Sequence, residues 1–218
     1  MCVGDSITYG TGASDVTKSS YPARLSQLLN NNPSSSSSTI DTNLSLNYTV
    51  HNFGVRNAAA KRNIDTSYWK THEYESALQL SHPDIIIILF GANDAKYAFH
   101  WNEKEFTTDY IALVETFNSL SSKPIIYLGI PTVLLPWYAS TKVNATVING
   151  EYPVLIPHIA QQLGLQVIDF FASVGGTGTV VTKEAIQYFV RDGIHPNDKG
   201  YEAMAHAAYL AITRQIAK

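Results

Sequence analysis

Residues 84–90 read Asp-Ile-Ile-Ile-Ile-Leu-Phe, and Ile85 to Phe90 is the longest apolar run of the chain. A run of this length, β-branched and without a polar face, predicts a strand covered on both sides, and such strands belong to parallel sheets. Parallel neighbours cannot be joined by a tight turn; each needs a crossover, usually a helix. The rest of the chain supplies the parts. Residues 1–4, 47–53, 124–130 and 166–170 read as further strands. Residues 21–30, with Leu25, Leu28 and Leu29 on one face, read as a helix, as do 69–80, 103–120, 152–163 and 198–216. This alternation predicts an α/β fold: a five-stranded, doubly wound parallel sheet with helices on both faces. Ligands of such sheets bind beyond the carboxyl ends of the strands. The Asn/Ser-rich residues 30–41 read as a surface loop. Gly175-Gly176-Thr177-Gly178 reads as a plain flexible loop, because no Lys-Ser/Thr follows to make it a phosphate loop.

The chain has 218 residues, which fits one domain over residues 1–218. Its formal net charge is -3 and it has no run of Lys or Arg, so a nucleic-acid partner is not expected. No apolar run approaches the roughly 20 residues that span a bilayer, so no membrane span is expected. Cys2 is the only cysteine, which excludes a disulfide within the chain and a multi-cysteine zinc site. Asn43, Asn47 and Asn144 each open an Asn-x-Ser/Thr triplet, an acceptor pattern for glycans in a secretory pathway. No signal peptide is recognisable. Only Met1, Cys2 and Val3 precede Gly4, fewer than the ~5–6 residues usual for a strand. That fits a trimmed start and leaves a secreted or periplasmic location open.

Four polar blocks carry the chemistry, and each lies at the end of an expected element: Gly4-Asp5-Ser6, Asn52-Phe53-Gly54, Gly91-Ala92-Asn93-Asp94 and Asp192-Gly193-Ile194-His195. Taken singly, each is ordinary turn or capping chemistry. Together they fill every role of acyl transfer. A serine hydroxyl needs a base to take its proton, and an imidazole suits that task near neutral pH. Ser6 and His195 fit those two places. A carboxylate must orient the imidazole, and Asp192 lies three residues before His195. The developing oxyanion needs donors, for which the N–H of Ser6, the N–H of Gly54 and the side-chain amide of Asn93 are candidates. A metal reading of Asp192 and His195 lacks further ligands at helpful spacing, so no metal or other cofactor is expected.

The four blocks in this order resemble those of the SGNH (GDSL) hydrolase superfamily over nearly the whole chain. The Gly-x-Ser-x-Gly elbow of α/β-hydrolases is absent. The resemblance implies a flavodoxin-like three-layer α/β/α sandwich, Ser6 as nucleophile, His195 and Asp192 completing a triad, and an oxyanion hole of Ser6, Gly54 and Asn93. One departure stands out: where the family often has a second glycine three residues after the first, this chain has Asn57. Asp5 and Asp94 are read as ordering the loops that carry Ser6 and Asn93.

The run from Gly91 to Lys96, Trp101 soon after it, and Pro131-Thr132 resemble sialate and carbohydrate O-acetylesterases. The implied substrate is a small-molecule or glycan ester, probed through a sugar-stacking rim of Trp101, Trp137 and Tyr138. The rival enzyme class is a lipase, lysophospholipase or thioesterase acting on longer acyl chains. The non-enzyme rival is a carbohydrate-binding relative without catalysis. Neither composition nor motif fixes the oligomeric state.

Overall fold

The computed structural model describes residues 1–31, 47–80, 82–135 and 142–216. At its centre is β3 (Ile85–Leu89), flanked by β1 (Cys2–Gly4) on one side and β4 (Ile125–Ile130) on the other. β2 (Asn52–Gly54) pairs with the outer side of β1, and β5 (Gln166–Asp169) with the outer side of β4. The order is β2-β1-β3-β4-β5 and every pair is parallel. The direction of winding reverses between β1 and β3, which makes the carboxyl ends of these two strands the expected ligand position.

Two helical layers cover the sheet. On one face lie α3 (Tyr21–Asn31) and α8 (Asp198–Ile216), packed on each other; the Tyr127 hydroxyl of β4 donates to the carbonyl of Ala211 in α8. On the other lie α4 (His72–Gln79), α5 (Glu103–Asn118) and α6 (Tyr152–Leu163). Aromatic contacts join these three: Tyr74 meets Phe117 edge-on, and Phe106 packs on Tyr152. In the central strand Ile86, Ile87, Ile88 and Leu89 are all buried, as a strand covered on both faces requires.

The elements differ from the sequence reading at three places. Of the expected strand 47–53 only Asn52 and Phe53 join the ladder, with Gly54 added beyond it, because the register pairs Asn52 with Cys2 and β1 offers partners only over Cys2–Gly4. The helix expected over 69–80 is interrupted: Tyr68–Lys70 forms a 3₁₀ turn, and Thr71 then caps α4, its hydroxyl accepting from the Tyr74 N–H at 3.1 Å. The glycine loop at 175–178 is not plain loop, since β6 (Gly176–Thr177) and β7 (Val180–Val181) pair there as a small antiparallel hairpin. α6 continues directly from a π-helical turn at Val147–Glu151, and Pro153 falls in its first turn, where proline is tolerated. The Asn/Ser-rich stretch beyond Asn31, with Asn43, lies outside the described residues.

Ile88 is completely buried between β1 and β4. Ile88→Ala is expected to cost about 2–5 kcal/mol, the usual range for truncating a fully buried aliphatic side chain. The measurement is urea unfolding, where the midpoint should fall without a change in slope. A loss below about 1 kcal/mol would contradict this packing.

Candidate active site

The first block is built around close backbone approach. Gly4 ends β1, and a Cβ there would lie 2.2 Å from the Thr8 Oγ1 and 2.5 Å from the Leu89 carbonyl oxygen. The chain then turns into the short helix α1 (Ser6–Tyr9). Asp5 caps it, its Oδ1 accepting from the Ile7 N–H at 2.8 Å. Ser6 therefore stands at the first position of a helix that starts at the carboxyl edge of the sheet. A second block closes on it from the far end of the sequence. His195 places Nε2 2.9 Å from Ser6 Oγ. Its Nδ1 lies 2.6 Å from Asp192 Oδ2.

Asp192 is itself held tightly. Its Oδ1 accepts from the N–H groups of Ile194 and His195, both at 2.9 Å. Partial burial would raise its pKa, but the hydrogen bonds from the His195 ring and the two backbone N–H groups outweigh that and hold it at about 2. Asp192 is thus anionic and accepts only, so Nδ1 carries the proton and Nε2 is left to accept from the Ser6 hydroxyl. The structure joins Ser6, His195 and Asp192 in one hydrogen-bonded chain.

The third block brings Asn93 to the same end of the sheet. One N–H of its side-chain amide donates to the Ala58 carbonyl at 2.9 Å, which fixes the amide plane and leaves the second N–H to serve a ligand. Gly54 differs from the expectation. Its N–H already donates to Asn52 Oδ1 at 2.9 Å. What its missing side chain permits is contact: a Cβ would sit 2.1 Å from the Tyr9 nitrogen and 2.6 Å from the Thr8 carbonyl carbon. Gly54 lets α1, with Ser6, settle against β2. Three residues on, Asn57 holds the left-handed backbone (φ 64°), and among the described residues its N–H meets no protein acceptor. Asparagine is among the few side chains that tolerate this conformation. The Asn52 side chain and the Asn57 backbone were missed as site features by pattern reading, although the displaced second glycine pointed at Asn57.

Two buried acids frame the site. Asp94 accepts from the Ala60 N–H at 3.2 Å and the Lys61 N–H at 2.9 Å, so it ties the loop after β2 to the loop after β3. Burial raises it to about 6 against the opposing pull of those N–H groups. Burial likewise raises Asp5 to about 7, opposed by the Ile7 N–H and by the charge of Lys96. Lys96, half-buried beside these acids, is lowered by burial while Asp5 and Asp94 resist the shift. Lys61 pairs with Glu105 at 3.0 Å and donates to the Phe99 carbonyl at 3.1 Å.

The aromatic residues divide. Trp101 packs edge-on against Tyr152 with ring centroids 5.2 Å apart, and its Nε1 donates to Glu151 at 2.7 Å. The Tyr152 hydroxyl in turn donates to the Gly91 carbonyl at 3.0 Å. Trp101, which stays partly exposed, therefore helps to brace the loop that carries Asn93. Trp137 and Tyr138 lie outside the described residues. Among the described residues no group of three or more His, Cys, Asp or Glu gathers as a metal site, and no helix is long and apolar enough to cross a membrane.

Known proteins share this fold. A curated relative, an acetylxylan esterase of Xylanibacter ruminicola, is 29% identical over an alignment of 226 positions that covers 97% of this chain. The chain covers 42% of that protein's length. Among solved structures, a carbohydrate acetylesterase family member from Sinorhizobium meliloti superposes with a TM-score of 0.69 at 16% identity, covering 100% of this chain and 98% of that one. A lipase/acylhydrolase from Enterococcus faecalis gives 0.69 at 18% identity, with 98% and 94% covered. These two likenesses speak for the fold alone. The family profile reaches further, matching residues 2–203 and with them every block from Ser6 to His195, so the chain belongs to the GDSL-like Lipase/Acylhydrolase family.

Proposed function

We propose that this protein is a serine ester hydrolase that removes acetyl groups from a carbohydrate. The observation that carries the reading is the continuous chain from Ser6 Oγ to His195 (2.9 Å) and on to Asp192 (2.6 Å). In the first half-reaction Ser6 Oγ attacks the ester carbonyl while His195 Nε2 takes its proton. Asp192 stays anionic and stabilises the imidazolium. The tetrahedral oxyanion accepts hydrogen bonds from the Ser6 N–H, the Asn93 side-chain amide and the Asn57 N–H, which takes the place first read for Gly54. As the intermediate collapses, His195 protonates the departing sugar oxygen, which leaves as a hydroxyl, and an acyl group remains on Ser6. In the second half-reaction water attacks that acyl group while His195 takes its proton; the bond from the acyl carbon to Ser6 Oγ breaks, His195 returns the proton to Ser6 Oγ, and the acid is released. The same hydrogen-bonded chain weighs against the non-catalytic reading, because a binding module has no use for an oriented serine–imidazole pair.

The acetyl preference draws support from two sides. The named relatives include an acetylxylan esterase and a carbohydrate acetylesterase. The apolar run Val133 to Leu135, whose Leu135 N–H donates to the Gly193 carbonyl at 2.9 Å, is also packed into the core, each residue 1% exposed, with the Leu134 N–H and carbonyl both bound by the Asn149 amide. These residues offer no wall to a long acyl chain. Each buried CH₂ would contribute ~0.8 kcal/mol if such a wall existed. Acetyl esters are therefore expected to exceed octanoyl esters by at least about tenfold in kcat/KM. A p-nitrophenyl ester series from C2 to C8 measures this, and a maximum at C6 or C8 would favour the longer-chain acylhydrolase instead.

Two substitutions test the mechanism itself. Ser6→Ala should lower turnover by at least ~10³-fold in a protein that still folds; retention of most activity would remove Ser6 from the reaction. Asn93→Ala should lower kcat by roughly 10²–10³-fold with little change in KM, because an oxyanion donor acts mainly on the transition state. A change confined to KM would move Asn93 to substrate binding.

A further inference from the structure

We infer that residues 10–14 and the start of α8 form a clamp that sets the Ser6–His195 distance, with Gly12, Ser14, Asp198 and Tyr201 as positioning residues. The inference rests on Ser6 and His195 being the reacting pair. These two residues lie 189 positions apart and sit on separate loops, so something must fix one loop against the other. The loop after α1 is bound to Ser6 itself: the N–H groups of Gly10 and Thr11 both donate to the Ser6 carbonyl, at 3.1 and 2.9 Å. Any shift of this loop is felt directly at the nucleophile.

Three contacts then join the same loop to the histidine side. The hydroxyl of Tyr201, a fully buried residue of α8, donates to the Thr11 carbonyl at 2.7 Å. Gly12 lies flat on the histidine segment: a Cβ there would stand 2.5 Å from the Pro196 carbonyl oxygen and 3.2 Å from His195 Cβ. Gly12 also holds φ 99°, a conformation that suits glycine alone. At the far end Asp198 grips Ser14 with both oxygens, Oδ1 accepting from the N–H at 2.7 Å and Oδ2 from the hydroxyl at 2.5 Å. The Ser14 hydroxyl and N–H are the main reasons that the Asp198 carboxyl lies below its ordinary range. On the histidine side the segment is pinned from behind, with the Val190 N–H donating to the His195 carbonyl at 3.0 Å and the Asn197 N–H to the Tyr188 carbonyl at 2.9 Å. Contacts at residues 11, 12 and 14 thus oppose residues 201, 195–196 and 198. None of these groups reaches the reacting atoms. Their effect is to hold two loops at hydrogen-bonding distance, and small misplacements of such pairs reduce rates steeply.

The test compares Asp198→Ala, Asp198→Asn and Gly12→Ala with the parent chain by two readouts: p-nitrophenyl acetate kinetics, and the rate at which a fluorophosphonate labels Ser6. Asp198→Ala frees Ser14 and should lower kcat about tenfold, leave KM within about twofold and slow labelling in step. Asp198→Asn keeps an acceptor for the Ser14 N–H and should restore most of both rates. Gly12→Ala should be the more damaging where it folds, since its Cβ forces the two loops apart. Unchanged labelling in Asp198→Ala, a loss confined to KM, or an Asp198→Asn variant as impaired as Asp198→Ala would each overturn the clamp. If the parent chain hydrolyses no ester and its Ser6 is not labelled, the proposed function fails instead, so the two failures are distinguishable.

Discussion

The parallel pairing of β1 with two neighbours at once is the constraint on which the rest depends. Gly4 pairs with Gly54 on one side and Leu89 on the other. This register brings the carboxyl ends of three strands level, so the loops that follow them emerge side by side. Ser6 follows the first, Asn57 the second and Asn93 the third. The arrangement tolerates no bulk at its centre, because a Cβ at Gly4 or Gly54 would overlap α1 or the backbone of β3. A helix of four residues would not form alone. Here it is held by the Asp5 cap, by contact with β2 and by the return of the chain at Gly10.

Charge is arranged around the same point with little exposed. Asp5 and Asp94 are completely shielded, and burial alone pushes both upward. Backbone N–H groups satisfy both: Asp5 accepts from Ile7 in the helix it caps, while Asp94 accepts from a different loop. Asp94 is the clearest case: it joins residues 60 and 61 to the loop that carries Asn93. An unsatisfied carboxylate in this position would cost several kcal/mol. Asp192, by contrast, is partly exposed and richly hydrogen-bonded, and it remains ionised down to about pH 2. The site therefore separates acids that order loops from the acid that orients the imidazole.

A second organising device is the way distant segments are locked by side-chain hydrogen bonds, with no disulfide and no cluster of three or more His, Cys, Asp or Glu among the described residues. The Asn149 amide spans the Leu134 backbone, Tyr152 holds Gly91, and Tyr201 holds Thr11. Each uses a buried polar side chain from a helix to fix a loop at the carboxyl edge of the sheet. Buried side chains of this kind have few alternative partners, so they fix a single loop position.

Local sequence alone determined the layered fold and most of the candidate reacting groups, for a physical reason. An unbroken isoleucine run has to be covered on both faces, and crossovers between parallel strands have to be helical, so the alternation at 84–90, 124–130 and 166–170 leaves few topologies. Ser6, His195, Asp192 and Asn93 were legible as candidates because their side chains bear the functional groups that acyl transfer requires and lie at element ends. Backbone roles were not. Whether an N–H is free depends on what approaches it in space, and only the tertiary structure shows that Asn52 occupies the Gly54 N–H while the left-handed turn at Asn57 leaves its own N–H open. The same holds for Trp101, whose sequence position after a strand suggested a ligand surface. Its packing on Tyr152 and its bond to Glu151, 50 residues away along the chain, add a loop-supporting contact that its place in the sequence does not reveal.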